Sequence, residues 1–226
     1  MTVKRNYEEI KETIRNACQR RNRQETEVNV IAVTKYVSLK TAQEAIEAGV
    51  KHLGENRVEG FLEKFETLNG KAKFHFIGTL QSRKVKDVIN EIDYLHSLDR
   101  LSLAKEIEKR AENEVNCFIQ VNVSGEDSKH GIAPEDVKDF VEKIKDYSKV
   151  KVVGLMTMAP NIEDKEKIRT YFRDLKSLQM DVQALNIRNA PCLELSMGMS
   201  NDYEIAIEEG ATFVRIGSAL VGNETI

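Results

Sequence analysis

The segment VNVIAVTKY, residues 28–36, largely decides the fold class. Its stretch Val28 to Thr34 is a nearly continuous apolar run with several branched side chains, which is typical of a strand buried on both faces of a parallel sheet. Lys35 follows directly, so the strand would end on a long cationic side chain. Seven further short apolar runs resemble this segment, and longer amphipathic stretches separate them.

These eight runs are the predicted strands, and they extend over Val28 to Thr34, His52 to Gly54, Phe74 to Gly78, Tyr94 to Ser97, Cys117 to Val123, Val150 to Met156, Leu193 to Ser196 and Thr212 to Ile216. Helices are predicted to begin near Leu39, Arg57, Ser82, Leu101, Pro134, Asp164 and Asp202, and a terminal fragment is a further candidate after Gly222. An apolar stripe at three- and four-residue steps predicts one extra N-terminal helix; it consists of Tyr7, Ile10, Ile14, Ala17 and Cys18.

Strict alternation of strand and helix implies a parallel sheet with right-handed crossovers. Eight units without a change in composition favour closure into one (β/α)8 TIM barrel, so we predict a single α/β domain over residues 1–226. A doubly wound open sheet is the competing architecture.

The composition excludes several classes of protein. Of the 226 residues, 41% are hydrophobic and 31% are charged, as in a globular domain. No apolar run reaches the roughly 20 residues that span a bilayer, and MTVKRNYEEI lacks the layout of a signal peptide. We therefore expect a cytoplasmic protein. A net charge of −3 does not suggest nucleic acid, and three isolated cysteines suggest neither disulfides nor a metal site.

In a parallel barrel, functional groups gather where the strands end, because the loops that leave these ends form one concave mouth. Lys35 stands at such an end. In a partly desolvated pocket its amine would be a nucleophile toward an aldehyde, as in a Schiff-base lysine. The alternative is a lysine that simply reaches solvent.

Other strand ends supply further candidates. Glu55 or Asn56 could bond a ligand, or Asn56 could cap the next helix. Alternation places His75 toward the barrel interior, where it is either a core residue or part of a site. The cluster of residues 81–84 could meet an anion or be a solvated helix end, and residues 124–132 could form a mobile flap or a plain loop. Met156 suits a flat ring and suits core packing equally.

The last two strand ends predict a phosphate site. Loops after strands seven and eight of such barrels often bind phosphate through closely approached backbone N–H groups, and the small residues available there are Ser196, Ser200, Gly217 and Ser218. Arg215 adds a positive charge on the mouth side. Alternatively, Ser200 and Asn201 cap a helix and Glu204 completes a capping box. Asp202 and Glu204 would repel a phosphate on the axis of that helix.

Taken together, six motifs closely resemble the pyridoxal phosphate homeostasis protein family of the YggS/PROSC type: AVTKY (32–36), HLGENRV (52–58), FHFIGTLQSRK (74–84), GLMTM (154–158), ELSMGMSND (194–202) and VRIGSALVG (214–222). The resemblance implies the barrel of the alanine racemase N-terminal domain, a monomer, and bound pyridoxal 5′-phosphate (PLP) without an established turnover. It also implies a role in vitamin B6 and amino-acid balance.

The resemblance further implies roles for individual residues. Lys35 would hold PLP as a Schiff base, Ser200, Gly217 and Ser218 would bind its phosphate, and Arg215 would face its pyridine nitrogen. Ser196, Asn56 and Met156 would be further neighbours.

An arginine at the pyridine nitrogen would keep that nitrogen unprotonated, which makes the ring a poor electron sink. Racemisation also needs a group on each face of the substrate, and in alanine racemase a tyrosine from a second domain provides one. No second domain is expected here, although Tyr36 or Tyr203 could substitute. We therefore expect a PLP carrier that delivers the cofactor to apo-enzymes, with a weak racemase or lyase as the alternative. A protein-interaction module without a cofactor is the third possibility.

Overall fold

The computed structural model describes residues 2–126 and 129–224, and in it eight parallel strands form a closed barrel. The strands are β1 (Asn29–Val33), β2 (His52–Glu55), β3 (Lys73–Phe76), β4 (Tyr94–Leu98), β5 (Val115–Gln120), β6 (Val150–Met156), β7 (Glu194–Ser196) and β8 (Phe213–Ile216). Each strand pairs with the next along the chain. The barrel closes where β1 pairs with β8, Asn29 being opposite Phe213. The predicted TIM barrel is confirmed and the open sheet is excluded.

The helices that cover the barrel are α1 (Val3–Gln19), α2 (Leu39–Glu47), α3 (Val58–Leu68), α4 (Leu101–Arg110), α5 (Val137–Lys143), α6 (Lys165–Ala184), α7 (Tyr203–Glu208) and α8 (Ser218–Val221). Short 3₁₀ helices lie at Glu25–Glu27, Ser82–Asp87 and Pro134–Asp136. The extra N-terminal helix α1 is confirmed: it packs against α2, α7 and α8, and its apolar stripe is buried except for the half-buried Tyr7.

Two predicted elements differ from the structure. The segment from Ser82 is a 3₁₀ helix, Ser82–Asp87, whose Val85 is buried in the core. The last helix of the described ranges, α8, lies before Gly222, and residues 225 and 226 of the candidate fragment lie outside those ranges. Gly222 has a φ of +74°, a left-handed conformation that glycine adopts readily and that ends the helix.

The loop after β5 is described only in part, because residues 127 and 128 of the predicted flap lie outside the described ranges. Strand β5 itself ends at Gln120, three residues earlier than predicted, and continues only as an isolated bridge between Val121 and Ile132.

Strand alternation divides the apolar residues between two layers. Phe74 of β3 points outward and packs against Phe61 and Phe65 of α3, with ring centroids 5.6 and 5.4 Å apart. His75 points inward and stacks on Tyr94 at 4.4 Å. The predicted orientation of β3 is therefore confirmed. The apolar cluster inside the barrel is small and consists of Ile31, Phe118, Met156 and Phe213.

None of the helices in the described ranges is both long enough and apolar enough to span a membrane.

Candidate functional site

A cavity of about 750 Å³ lies at the carboxyl ends of the strands, where the barrel architecture predicts a site. Seven of the eight predicted site residues line it: Lys35, Asn56, Met156, Ser200, Arg215, Gly217 and Ser218. The eighth, Ser196, is fully buried behind Arg215. Loops from both halves of the chain thus bring one amine, one guanidinium and a set of small polar residues to a single wall.

Lys35 follows β1 in a turn and its side chain is exposed. Its Nζ lies 4.9 Å from the centroid of the Tyr36 ring, a cation–π distance. The partial desolvation expected from the sequence is therefore not present, because the side chain folds over an exposed tyrosine at the mouth. Lys35 still forms part of the cavity wall.

A buried ion pair supports the turn that carries Lys35. Lys64 Nζ lies 2.9 Å from Glu55 Oε1 and donates to the carbonyl of Thr34 at 3.0 Å. The Thr34 hydroxyl donates to the same Glu55 oxygen at 2.6 Å. The side chains of Lys64 and Glu55 are only 5% and 1% exposed. Glu55 is therefore a structural residue, and of the two residues that could bond a ligand, Glu55 and Asn56, only Asn56 lines the cavity.

Asn56 lies on the cavity wall, and its Oδ1 is buried without a hydrogen-bond partner among the described residues. It does not cap α3, because the N-cap is Arg57. Gly78 fixes the backbone beside it: a Cβ on Gly78 would lie 2.3 Å from the Asn56 carbonyl oxygen, far inside contact distance. The close approach of these two loops thus requires glycine at position 78.

Arg215 is buried at the floor of the cavity, with only 4% of its surface exposed. Its Nη1 donates to Ser196 Oγ at 2.6 Å and its Nη2 to the Thr157 carbonyl at 2.8 Å. Burial lowers the pKa of the guanidinium to about 10, an effect that the negative charge of Asp202 partly offsets. The side chain therefore remains charged at neutral pH.

The turn after β7 is built around Gly198 and Asp202. Gly198 has a φ of +91°, and a Cβ there would lie 2.6 Å from the Cβ of Ala206 in α7. Asp202 is the N-cap residue of α7, and its Oδ1 accepts the Met199 N–H at 2.6 Å. The alternative in which Ser200 and Asn201 cap this helix and Glu204 completes a capping box is therefore excluded, and Ser200 lines the cavity.

Of the two acids expected to repel a phosphate, only one stands at the site. Glu204 forms an ion pair with Arg20 of α1 and does not line the cavity. Asp202 lines the cavity, and burial raises the pKa of its carboxyl. Of these two acids, only Asp202 would thus repel an anion in the cavity.

The cluster of residues 81–84 after β3 pairs locally. Arg83 donates to the Gln81 side chain at 3.0 Å, and Lys84 forms an ion pair with Glu59 at 2.7 Å. This cluster belongs to a separate shallow pocket of about 410 Å³ that shares Asn56 and Thr79 with the main cavity. Its position favours a solvated helix end over an anion site.

Sequence reasoning missed the residues that support the site from behind. Thr157 and Lys64 act through contacts distant in the chain, and the only local signal was a lysine inside the apolar stripe of α3. His75 was noticed, but its neighbours His52 and His96 were not. Within the described ranges, no group of three or more histidine, cysteine or acidic side chains is arranged so that it could hold a metal ion.

Comparison with known proteins places the chain in a family. Residues 5–225 match the alanine racemase N-terminal domain family. The pyridoxal phosphate homeostasis protein of Aquifex aeolicus is 44% identical over 217 residues, which cover 94% of each chain. The protein of that name from Pseudomonas aeruginosa is 36% identical over 225 residues, which cover 98% of this chain and 95% of that protein.

Solved structures agree with this assignment. A protein of unknown function from Bifidobacterium adolescentis has a TM-score of 0.91 at 32% identity, covering 96% of this chain and 94% of that one. PipY of Synechococcus elongatus, solved with PLP bound, has a TM-score of 0.82 at 28% identity, covering 93% and 100%. An alanine racemase from Clostridium difficile has a TM-score of 0.76 at 14% identity and shares only the fold; all of this chain aligns with 57% of it. The chain therefore belongs to the pyridoxal phosphate homeostasis protein family, whose barrel is that of the alanine racemase N-terminal domain.

Proposed function

We propose that this chain binds PLP through Lys35 and serves the intracellular homeostasis of that cofactor, without catalytic turnover. One observation carries the proposal: Lys35, Arg215 and the turn at Gly217 and Ser218 line the same cavity, although they come from opposite ends of the sequence. The PLP-bound structure of the related PipY supports it. The whole of residues 1–226 would act as one cofactor-binding domain.

The groups on the wall fit the chemistry of PLP. When bound, the cofactor supplies an aldehyde that forms a Schiff base with a primary amine, and Lys35 is such an amine. Asn56 offers a buried oxygen that has no partner among the described residues. Met156 is almost fully buried and gives the cavity an apolar floor for a flat ring.

The remaining roles follow from charge and size. Ser200, Gly217 and Ser218 would bind the phosphate, since small residues let an anion approach the backbone N–H groups closely. Arg215 would face the ring nitrogen. A charged guanidinium does not readily give up a proton, so it would leave that nitrogen unprotonated. Ser196 would act only through Arg215, to which it is hydrogen-bonded.

The arrangement favours a carrier over an enzyme. Neither Tyr36 nor Tyr203, the two tyrosines considered as a second base, is among the described residues on the cavity wall. A weak racemase or lyase has one observation in its favour, namely that Glu163 and Lys165 lie on the outer wall and could exchange protons. Incorporation of solvent deuterium at the Cα of an amino acid, lost in Lys35→Ala, would establish that activity.

As a carrier, the protein would act in the cytoplasm as a monomer and pass PLP to apo-enzymes that depend on it. The exposed position of Lys35 supports such a transfer, because an incoming amine can reach the cavity wall. Transfer to an apo-enzyme should then be faster than release of PLP into buffer. Equal rates would remove direct delivery from the proposal.

The test of binding is the near-visible absorbance of the purified protein after incubation with PLP and removal of the unbound cofactor, which itself absorbs in this range. Wild type should develop a band that borohydride abolishes, whereas Lys35→Ala should not. Lys165→Ala is the matched control, because it removes the other lysine on the cavity wall and should leave the band unchanged. A wild-type protein that develops no band would overturn the proposed function.

A further inference from the structure

Three histidine rings form a continuous hydrogen-bonded chain inside the barrel. His52 Nδ1 lies 2.9 Å from His75 Nε2, and His75 Nδ1 lies 2.8 Å from His96 Nε2. His96 Nδ1 in turn lies 3.0 Å from Ser196 Oγ, which accepts from Arg215. The chain thus ends on the residue that we place opposite the ring nitrogen of PLP.

The barrel geometry explains why the rings meet. His75 is opposite Gly54, two residues after His52, and Tyr94 is opposite His75, two residues before His96. Each histidine therefore stands two residues further along its strand than the one before it, and all three side chains point inward. The chain rises from the first residue of β2 toward the carboxyl ends of the strands.

In a chain of neutral imidazole rings, all the hydrogen bonds point in the same direction. A neutral imidazole has one N–H donor and one acceptor nitrogen, so each ring must donate to one neighbour and accept from the other. If one ring reverses, every other ring must reverse with it. The group at either end therefore sets the proton position on all three histidines.

Arg215 sets this direction. A guanidinium can only donate, so Ser196 Oγ must accept from it. Among the described residues, the only other hydrogen-bond partner of that hydroxyl is His96. Because the buried hydroxyl proton needs an acceptor, Ser196 donates it to His96 Nδ1. His96 then donates from Nε2 to His75, and His75 donates from Nε2 to His52. All three rings carry their proton on Nε2.

We propose that His52, His75 and His96 are positioning residues, which hold Arg215 through Ser196 without touching the cavity. The chain keeps a lone pair of Ser196 available to Arg215, while Thr157 receives the second N–H group. None of these partners is an anion, so no contact ion pair with the described residues neutralises the guanidinium. The effect on PLP rests on the proposed function, whereas the hydrogen-bonded chain of histidines does not.

The surroundings keep the rings neutral. Burial lowers the pKa of His52 to about 4 and that of His75 and His96 well below the usual value. Arg215 opposes a positive charge on His96, while Lys51 and Lys73 oppose one on His52 against the attraction of Asp93. A charged ring would donate from both nitrogens, so it could no longer accept a hydrogen bond from its neighbour and the chain would be broken. Because the pKa values are lowered, the rings stay neutral at neutral pH.

The direct test is ¹⁵N NMR of the full chain with labelled histidine at pH 7, without added cofactor. His52, His75 and His96 should each show a protonated Nε2 and an unprotonated Nδ1, whereas the exposed His130 gives the reference signal of a ring outside the chain. A protonated Nδ1 on any of the three would overturn the proposal. Because no PLP is present, this result is independent of the proposed function.

Two variants test the positioning role. His75→Phe keeps an aromatic ring but removes the residue three hydrogen bonds from Arg215, so the guanidinium ¹⁵N–¹H signals of Arg215 should broaden and the absorbance maximum of bound PLP should shift. Tyr94→Phe is the matched control, because Tyr94 stacks on His75 without being part of the chain. Unchanged Arg215 signals in His75→Phe would contradict the proposal. If His75→Phe does not fold, the protonated nitrogens observed by ¹⁵N NMR in the wild-type protein decide whether the proposal stands.

Discussion

Asn56 and Asn189 both bury a side-chain oxygen that has no partner among the described residues, but they serve different ends. The amide nitrogen of Asn189 donates to three carbonyls, those of Ile144, Tyr147 and Val150, at 2.9 to 3.1 Å. Asn56 forms no such side-chain bonds and lies on the cavity wall. The first residue supports the fold, and the second is available to a ligand.

Asn56→Ala should therefore weaken PLP binding without destabilising the protein. One lost hydrogen bond is worth about 0.5–1.5 kcal/mol, so the Kd should rise about five-fold, while the free energy of unfolding should change by less than about 0.5 kcal/mol. Asn189→Ala is the control and should show the reverse, with a loss of about 2 kcal/mol and unchanged affinity. Urea unfolding and PLP titration measure both quantities. A destabilised Asn56→Ala with normal affinity would show that Asn56 is structural.

Sequence reasoning reached the residues at the strand ends but not those behind them. Lys35 and Arg215 could be predicted to share a mouth, because every parallel strand ends on the same side of the barrel. Lys64 could not be connected with Thr34, since that contact depends on how α3 packs against the end of β1. Capping of α7 by Ser200 and Asn201 could not be excluded from the sequence, because the choice of Asp202 as N-cap depends on how the turn after β7 closes.

At the scale of elements, the end of β1 depends on α3. The ion pair of Lys64 with Glu55 is almost completely buried, and both side chains bond Thr34, the residue before Lys35. Removing one partner of a buried pair leaves the other charge uncompensated, which is far more costly than breaking an exposed pair. The position of the Lys35 turn should therefore be sensitive to α3.

Lys64→Met should lower the free energy of unfolding by about 3–5 kcal/mol, and the double variant with Glu55→Gln should recover part of the loss. Lys84→Met is the matched control, because it breaks an exposed 2.7 Å pair with Glu59 and should cost less than about 1 kcal/mol. Denaturant unfolding of all three gives the comparison. Equal losses for Lys64→Met and Lys84→Met would refute the structural role of the buried pair.

Gly78→Ala tests the contact between the loops after β2 and β3. The new Cβ would lie 2.3 Å from the Asn56 carbonyl oxygen, so the backbone must shift. We expect a loss of about 1–3 kcal/mol in stability, typical of overpacking, together with weaker PLP binding. Denaturant unfolding and PLP titration on the same sample measure both quantities. An unchanged Kd would show that this loop contact does not affect the site.

At the scale of the whole molecule, the periodicity predicted eight strands and their order, because each strand and each helix has its own local pattern of apolar residues. Barrel closure was favoured only by the count of units. The pairing of β1 with β8 joins segments about 180 residues apart, so no local sequence pattern can predict it. The 3₁₀ helix at Ser82–Asp87 and the buried histidine chain likewise depend on packing that appears only when the barrel closes.

The buried histidines make the stability of the whole fold sensitive to acid. Their pKa values in the folded protein lie below the ordinary 6.5, so the unfolded chain binds more protons in this range. These histidines should not lower the free energy of unfolding above pH 6.5. As the pH drops toward 4, the free energy of unfolding should fall by up to about 1.4 kcal/mol per pH unit for each histidine. Urea unfolding at several pH values should show this slope, and His75→Phe should reduce it. A stability that is flat from pH 6.5 to 4 would contradict the neutral chain.

We propose that Lys35, among the 21 lysines of the sequence, holds the cofactor. Borohydride reduction of the PLP-loaded wild-type protein, followed by proteolysis and mass spectrometry of the peptides, tests this directly. We expect the mass of the reduced cofactor on Lys35. The same mass on Lys165, or its even distribution over exposed lysines, would contradict it.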